Sequence, residues 1–420
     1  MRQGFKQALR LAASPRPRCP LPAARRPAAA MATPSAAREA RPAAGPQLLS
    51  VAPMMEWTDV HYRQLARLLS RHVWLYTEMV VDSTLIHNPD HDRFLAFPPE
   101  QHPIVCQLGG SSPQGLAKAA AIVAGYGYDE INLNCGCPSD RVAGAGCFGA
   151  ALMLRPQLVA ECCAAMAAAS GGIPVTVKCR IGVDDVDSYE ALHAFVAAVA
   201  AASPVRHFLV HARKCLLSGL SPLQNRTIPP LRWQWVWALK RDFPHLDFSL
   251  NGGVVELGEA GAALAAGGAA GVMVGRAAYH EPWRVLAGAD VALFGAASNP
   301  AASRRQVLRE YAAYADAAVG SRGTAKDGHR MPSVRTLVKP LLGMFHGEPR
   351  GKKWRAAVDT SLKSAASVSE LLDATLGVLL PETLDAPPPP PPALPREEGE
   401  LRGMLPHFDA AAVPAAPQAN

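Results

Sequence analysis

The feature that most constrains the fold of this chain is a regular alternation of short apolar segments, rich in β-branched residues, with helix-like stretches. The eight segments span residues 48–54, 73–81, 103–110, 130–138, 174–182, 207–214, 247–254 and 271–276. Eight strand–helix units of this length match a (β/α)8 barrel, whereas a doubly wound open sheet rarely needs so many. The sequence therefore predicts an α/β protein with a TIM barrel over residues 46–295.

Polar side chains end almost every predicted strand. They are Glu78, Gln107, Asn134 with Cys137, Lys178 with Arg180, His211 with Arg213, Asn251, and Arg276. The carboxyl ends of all the strands of a barrel open onto one face. We therefore expect these side chains to converge on a single pocket with a cationic mouth.

The two ends of the chain differ in composition from the barrel, and we expect both to be disordered. Residues 1–45 are rich in Ala, Arg and Pro and hold one acidic residue, which is typical of a mitochondrial or plastid transit peptide. Translation from Met31 would remove most of this signal and leave a cytoplasmic protein. Residues 383–420 begin with a proline-rich run that cannot join a packed core.

Residues 300–382 show a helical pattern that predicts a small all-α domain after the barrel. The predicted helices lie near 303–319, 333–345, 351–365 and 368–379. Between residues 301 and 363, thirteen Lys or Arg side chains stand against five Asp or Glu. This surplus suits a polyanion such as RNA, but an ordinary solvated helical face explains it equally well.

Composition argues against two other classes of protein. No uncharged apolar run is long enough to cross a bilayer. The nine cysteines form no CxxC pair and no zinc-like spacing with histidine, so we expect free thiols, a reducing compartment and no metal.

Two glycine turns predict a phosphate site. Asn251, Gly252 and Gly253 follow the seventh strand, and Gly275 and Arg276 follow the eighth, where barrels commonly bind phosphate. Glycines let backbone N–H groups approach the oxygens, and an arginine adds a bidentate contact.

Lys178 lies inside an apolar strand, where an ammonium group needs an anion or an electron-rich ligand. Two roles fit: a cation beside the N1–C2=O region of a flavin, or the Schiff-base lysine of an aldolase. Gln107 and His211, also at strand ends, suit hydrogen bonds to the ring edge and phosphate of a flavin.

Two thiols lie where the fourth strand enters the mouth. Free thiols are mostly protonated at neutral pH and can donate a proton to a carbanion-like centre. Strand alternation and the turn at Gly136 and Pro138 favour Cys137 over Cys135 as the donor. The alternative is that both are small buried thiols.

Residues 144–149 match the pattern GxGxxG. They follow a polar stretch instead of a strand, so we interpret them as a flexible glycine-rich lid and not as a dinucleotide-binding turn.

Several stretches resemble the tRNA-dihydrouridine synthases, in particular their DusA subgroup. They are APMMEWTD (52–59), QLGG (107–110), DEINLNCGCPSDRV (129–142), PVTVKCRIG (174–182), HARKCLLSGLSPLQNRTIPPL (211–231), NGG (251–253) and VGR (274–276). The resemblance covers roughly residues 48 to 360. It implies an FMN-containing barrel followed by a helical tRNA-binding domain.

The resemblance also implies a reaction: NADPH reduces FMN, which then reduces the uridine 5,6 double bond in the tRNA D loop, at positions 20 and 20a. Hydride passes from flavin N5 to uracil C6, and Cys137 protonates C5. The implied FMN-binding residues are Pro53, Met54, Met55, Gln107, Lys178, His211, Asn251, Gly252, Gly253, Gly275 and Arg276. The implied substrate-side residues are Asn134, Arg213, Arg226, Arg335 and Lys339. The chain departs from the family pattern at Leu223, where a lysine is usual, and at Pro340, where a histidine is more frequent.

Two other functions stay open at this stage. A barrel flavoenzyme acting on a free pyrimidine or on dihydroorotate would use the same Lys178 and Cys137, but it would have no use for the basic helices. The third possibility is a non-catalytic tRNA-binding protein. The evidence against it is that four site residues are intact: Cys137, Lys178, His211 and Arg276. We expect a monomer that binds tRNA and has neither a membrane nor a metal partner.

Overall fold

The structure, a computed structural model, describes residues 45–138, 148–324, 331–390, 404–405 and 407–417. Residues 1–44 of the predicted presequence, residues 144–147 of the predicted lid and part of the C-terminal tail lie outside the described residues.

In the described part of the chain, nine strands form one parallel sheet. They are β1 (Leu49–Val51), β2 (Leu75–Tyr76), β3 (Val80–Val81), β4 (Ile104–Gly109), β5 (Glu130–Cys135), β6 (Val175–Arg180), β7 (His207–His211), β8 (Asp247–Asn251) and β9 (Gly271–Val274). The order is β1-β9-β8-β7-β6-β5-β4-β2, with β3 also on β4. Ser50 closes the ring through a parallel bridge to Trp74, just before β2. The predicted (β/α)8 barrel is confirmed.

The second predicted strand, 73–81, is divided into β2 and β3. Both pair with β4, and Thr77 begins the gap between them. The Thr77 hydroxyl accepts a hydrogen bond from the backbone N–H of Gln107 (3.1 Å) and donates one to the carbonyl of Glu78 (2.7 Å). A side chain thus replaces a backbone partner in the ladder, so the two short strands share one position in the barrel wall.

Helices follow the strands and cover the outside of the barrel. They are α1 (Val60–Leu69), α2 (Asp82–His87), α3 (Asp92–Leu95), α4 (Pro113–Ala124), α5 (Pro156–Ala169), α6 (Tyr189–Ala202), α7 (Gln234–Asp242), α8 (Leu257–Ala265), α9 (Arg276–His280), α10 (Pro282–Leu286) and α11 (Ala289–Phe294). Asp59, Ser112 and Ser188 cap α1, α4 and α6 by accepting backbone N–H groups of the first turn. Each cap satisfies a donor that has no partner within the helix.

The apolar residues form two clusters, one on each side of the strands. The interior of the barrel is filled by Ala52, Trp74, Tyr76, Val105, Leu209 and Met273. The neighbouring positions along the same strands, such as Leu75 and Val210, belong to a larger cluster under the helices. This alternation is the period of two expected for strands that are buried on both faces.

A helical region follows the barrel, as predicted. Its helices are α12 (Arg304–Ala318), α13 (Val334–Val338), α14 (Gly351–Ser361), α15 (Val368–Thr375) and α16 (Pro381–Asp385). The larger apolar cluster continues from the barrel into these helices.

Polar contacts also join the helical region to the barrel. His61 Nδ1 of α1 lies 2.9 Å from the hydroxyl of Tyr314 of α12. The Arg304 guanidinium stacks 4.7 Å from the ring centre of Trp283. These contacts and the shared core fix the helical region beside the mouth of the barrel.

The structure describes only part of the segment that was predicted to be disordered, 383–420. Residues 404–405 and 407–417 lie against α7 of the barrel. Leu405 is 1% exposed, the Phe408 ring packs 4.9 Å from that of Trp237, and Arg241 Nη1 donates to the carbonyl of Pro414 at 2.7 Å. The proline-rich run indicated only that the tail has no core of its own. Apolar residues beyond that run pack onto the core of the barrel instead.

The described residues contain no helix with the length and apolar character that a bilayer crossing needs. They also bring together no three His, Cys, Asp or Glu side chains that could hold a metal ion.

Candidate active site

A cavity of about 330 Å³ opens at the carboxyl ends of β6 to β9. It brings together eleven of the residues predicted from the sequence: Pro53, Met54, Lys178, His211, Arg213, Arg226, Asn251, Gly252, Gly253, Gly275 and Arg276. Arg180 and His407 also line it, but no Asp or Glu does so among the described residues. We call it the cation-rich cavity.

The turn after β8 is shaped to let its backbone approach a ligand. Gly252 and Gly253 have φ values of +97° and +91°, which residues other than glycine rarely adopt. A Cβ atom at Gly252 would lie 2.6 Å from Cδ2 of His211, and one at Gly253 would lie 2.7 Å from Cδ1 of Leu231. The cradle therefore requires glycine at both positions, as a phosphate-binding turn of a barrel does.

Lys178 is held by an oriented amide. Its Nζ donates to Asn251 Oδ1 at 3.0 Å, and Asn251 Nδ2 donates to the carbonyl of Met273 at 2.7 Å, which turns the amide oxygen toward the lysine. Within the described residues, no carboxylate lies at salt-bridge distance from Lys178. Burial, reinforced by the neighbouring Arg180, lowers the pKa of Lys178 to about 8.

Three arginines crowd the outer part of the cation-rich cavity. Arg276 Nη2 donates to the carbonyl of Arg226 at 3.3 Å, and Arg213 Nη1 donates to the carbonyl of Pro229. The pKa values of Arg213 and Arg226 are lowered, mainly by burial and further by the charge of Arg276. Guanidinium groups that repel one another in this way favour an anion such as a phosphate between them.

His211 lines the same cavity as a neutral imidazole. Burial, followed by the charges of Arg180 and Lys178, lowers its pKa well below the usual value. At neutral pH the ring therefore has one N–H donor and one acceptor nitrogen.

The turn that carries Cys137 is built on the side chain of Asn134. Asn134 Oδ1 accepts from the backbone N–H groups of Gly136 and Cys137, both at 3.0 Å. Cys137 is partly exposed, whereas Cys135 is 0% exposed and burial raises its pKa well above the usual value. Of the two thiols, only Cys137 has access to solvent, although it lines neither cavity at the mouth.

Gln107 is placed differently from the other predicted cofactor residues. It is 1% exposed and lines neither cavity at the mouth. Its Oε1 accepts from Asn134 Nδ2 at 2.9 Å, and its Nε2 donates to Asn132 Oδ1 at 2.8 Å. The amide of Gln107 therefore orients Asn134 and, through it, the Cys137 turn.

Arg180 is a site residue whose role the sequence did not reveal. It is 3% exposed, and its Nε donates to the carbonyl of Gly136 at 2.8 Å. Its Nη1 donates to the carbonyls of Lys214 and Asn225, each at 3.0 Å. One guanidinium thus ties the turn after β5 to two points of the long loop between β7 and α7. Its position at the end of a buried strand was the only available signal.

A second cavity of about 470 Å³ lies between the barrel and the helical region. Its charged or ionisable lining residues are Asp59, His61, Arg63, Glu78, Arg93 and Arg322, and we call it the mixed-charge cavity. The predicted cofactor residue Met55 lies here, 59% exposed, and not in the cation-rich cavity.

The helical region contributes one predicted substrate-side residue to the rim of the mouth. Lys339 Nζ donates to the carbonyl of Glu56 at 2.7 Å. Arg335 is exposed on α13 and lines neither cavity.

Comparisons with known proteins agree with one another. The family model described as dihydrouridine synthase (Dus) matches residues 50–377. A tRNA-dihydrouridine(20/20a) synthase of Vibrio vulnificus is 45% identical over 337 residues, which are 80% of this chain and 98% of the relative. Proteins of the same name from Xanthomonas axonopodis pv. citri and Escherichia coli (strain K12) are 47% and 46% identical. Each alignment covers 78% of this chain. The aligned part is 92% of the Xanthomonas protein and 90% of the Escherichia coli protein.

Proposed function

Because this chain belongs to the dihydrouridine synthase family, we propose that it reduces uridine to 5,6-dihydrouridine in the D loop of tRNA. We further assign it to the DusA subgroup, with positions 20 and 20a as targets, FMN as cofactor and NADPH as reductant. The observation that carries the proposal is the cation-rich cavity beside a turn that presents a partly exposed thiol. The names of the three relatives support the choice of nucleotide positions.

The residues of the cation-rich cavity fit an FMN group. The two-glycine cradle and Arg276 would hold its phosphate, and Lys178 would face the part of the ring that becomes negative on reduction. When bound, FMN would supply the hydride that is added at uracil C6.

The chain itself supplies the proton. In this proposal Cys137 gives its thiol proton to C5 of the uracil. Asn134 keeps the thiol in place through its bonds to the turn, and Arg180 holds the carbonyl of Gly136 from the other side. A fixed turn matters because proton transfer needs the donor within hydrogen-bond reach of the carbon.

The uridine has to leave the D loop to reach the mouth. Unstacking a base costs a few kcal/mol. The basic helical region offsets that cost in our proposal by holding the tRNA backbone. Arg226 and Lys339 at the rim and Arg335 on α13 are the proposed contacts.

The visible spectrum of the purified protein tests the proposal. Flavin absorption bands that NADPH bleaches, and that only unmodified tRNA restores without oxygen, would support both the cofactor and the substrate. Restoration by free uracil would point to a small-molecule reductase. A colourless protein that binds tRNA and cannot be loaded with FMN would contradict the enzymatic role.

We also propose that residues 1–45 direct the protein to an organelle. The support is their composition alone, with many Arg and Ala and a single acid. A fluorescent fusion of residues 1–45 should enter a mitochondrion or plastid, whereas a fusion that starts at Met31 should stay in the cytoplasm. Equal distribution of the two fusions would contradict this.

A further inference from the structure

The C-terminal tail is anchored beside the cation-rich cavity, although it lies beyond residue 377, where the family match ends. Leu405 is buried, Phe408 packs on Trp237, and the carbonyl of Pro414 accepts from Arg241. These contacts on both sides of residue 407 fix where the tail crosses the barrel. The tail is thus a part of the site for which the family pattern gives no role.

The anchored tail carries His407 to the glycine cradle. The His407 ring meets Trp233 edge to face, with centroids 5.4 Å apart and planes at 78°. Its Cδ2 would lie 3.2 Å from a Cβ atom at Gly253. Trp233 is itself fixed to the cradle, since its Nε1 donates to the carbonyl of Gly252 at 2.7 Å. His407, Trp233 and the two glycines therefore form one packed unit.

The ring of His407 also has free hydrogen-bonding capacity. It is exposed, and its nitrogens have no hydrogen-bond partner among the residues that the structure describes. The cavity that it lines holds Lys178, Arg276 and other cations without a described carboxylate. An imidazole N–H in such surroundings has an anion as its natural acceptor.

We propose that His407 is an additional ligand of the cofactor phosphate, donated by the tail to the cradle formed by Gly252 and Gly253. The inference rests on the proposed function, because it takes FMN as the occupant of the cation-rich cavity. The chemistry is recognition of a phosphate monoester: backbone N–H groups approach from the cradle, Arg276 from the start of α9, and the imidazole from the tail. The tail then forms the outer wall of the phosphate end of the cavity.

The test compares FMN with riboflavin, which has the same ring system but no phosphate. Apoprotein of the full-length chain is titrated with each flavin, and the quenching of flavin fluorescence gives both dissociation constants. His407→Phe keeps a ring against Trp233 and removes both ring nitrogens, and His407→Ala removes the ring altogether. A hydrogen bond to a charged group is worth about 1.5–3 kcal/mol, so we expect FMN to bind about tenfold or more weakly to both variants. Riboflavin binding should change by less than about twofold.

Two further variants serve as controls. His245→Ala removes an exposed histidine just before β8, at the end of the barrel opposite the cavity, and should leave both constants unchanged. Phe408→Ala weakens the anchor of the tail and should reproduce the selective loss of FMN with His407 intact.

The outcomes separate the possible failures. Equal weakening of FMN and riboflavin, or no change in either, would overturn the phosphate contact while leaving the cofactor assignment intact. If the wild-type protein binds neither flavin, the proposed function fails first. FMN binding that equals riboflavin binding in the wild type would show that the cavity does not recognise the phosphate.

Discussion

The two cavities at the mouth of the barrel differ in how their charges are compensated. In the mixed-charge cavity the protein satisfies its own charged groups. Asp59 caps α1, Glu78 accepts the backbone N–H of Glu56, and Arg63 donates to the carbonyl of Thr58 at 2.7 Å and to Gln101 at 3.0 Å. In the cation-rich cavity no described carboxylate faces the cations.

This difference indicates which of the two cavities should bind a charged ligand. A charge that the backbone already satisfies stabilises the fold and adds little to binding. Charges that are crowded, desolvated and uncompensated store unfavourable free energy that an anion relieves. By this criterion the cation-rich cavity is the anion site, although the mixed-charge cavity is the larger of the two.

The largest effect should come from the proton donor, for which there are two rival acids: Cys137 on the turn beside the cation-rich cavity, and Glu78 in the mixed-charge cavity. Glu78, whose pKa is raised by burial and by the nearby Asp59 carboxylate, is the alternative to Cys137. We expect Cys137→Ala to slow dihydrouridine formation by about 10²–10⁴-fold with FMN still bound, the range for loss of a general acid. The measurement is single-turnover tRNA reduction by prereduced enzyme, with the buried Cys135→Ala as control. A severe loss in Glu78→Gln with a mild one in Cys137→Ala would move the acid to the other cavity.

Removing one arginine from each cavity tests the anion assignment directly. Arg276→Gln should weaken FMN binding by about 10- to 100-fold, because it removes charge-assisted hydrogen bonds to a phosphate. Arg93→Gln in the mixed-charge cavity should change it by less than about threefold. Fluorescence titration of apoprotein gives both values, and similar losses in the two variants would abolish the distinction between the cavities.

The uncompensated charge of Lys178 should be visible in the stability of the apoprotein. Its pKa is lowered in the folded state, so the folded protein binds fewer protons than the unfolded chain between about pH 8 and pH 10.5. Stability from this group therefore rises with pH across that window, and the penalty is present in full below about pH 8. Lys178→Met should raise the free energy of unfolding at pH 7 by about 2 kcal/mol. This order-of-magnitude value is the free energy that corresponds to the pKa shift, minus the contribution of the hydrogen bond to Asn251 that the variant loses.

Urea denaturation of apoprotein at pH 7 and pH 10 measures this effect. The gain from Lys178→Met should shrink at the higher pH, while Lys178→Arg should not show it. A destabilised Lys178→Met apoprotein at pH 7 would mean that the lysine charge is compensated after all.

The smallest effect is expected for the carboxylate of the mixed-charge cavity. Glu78→Gln keeps an oxygen to accept the N–H of Glu56, so the free energy of unfolding should change by less than about 1 kcal/mol. Because burial raises the pKa of Glu78, the difference between variant and wild type should move in favour of the variant as the pH rises through the acid range. Thermal melts at pH 4 and pH 7 test both statements.

Much of the barrel and of its cation-rich cavity could be predicted from the sequence, because most of the residues there sit at or just after the end of a strand. Lys178, His211 and Asn251 meet simply because parallel strands of a barrel end at one face. The break between β2 and β3 was not predictable, since it depends on the hydroxyl of Thr77 reaching Gln107 in the next strand.

The other contacts that the sequence did not reveal have the same cause: partners that are distant in the sequence. Gln107 bonds Asn132 and Asn134 of the neighbouring strand. The packing of the described part of the tail was not predicted either, because composition measures whether a segment can form its own core and not whether it can complete another one. Leu405 and Phe408 were the only local signal that it does.

The apolar core that runs unbroken from the barrel into the helical region limits how this protein can be rearranged by recombination. A chain cut near residue 300 would expose the faces of α1 and Trp283 that α12 covers. Each half would therefore present apolar surface to water. We expect calorimetry to show a single cooperative transition for both regions. In the proposed function the contacts to tRNA and the chemistry on the base would therefore be inherited together. A helical region exchanged with another protein would need a matching first barrel helix.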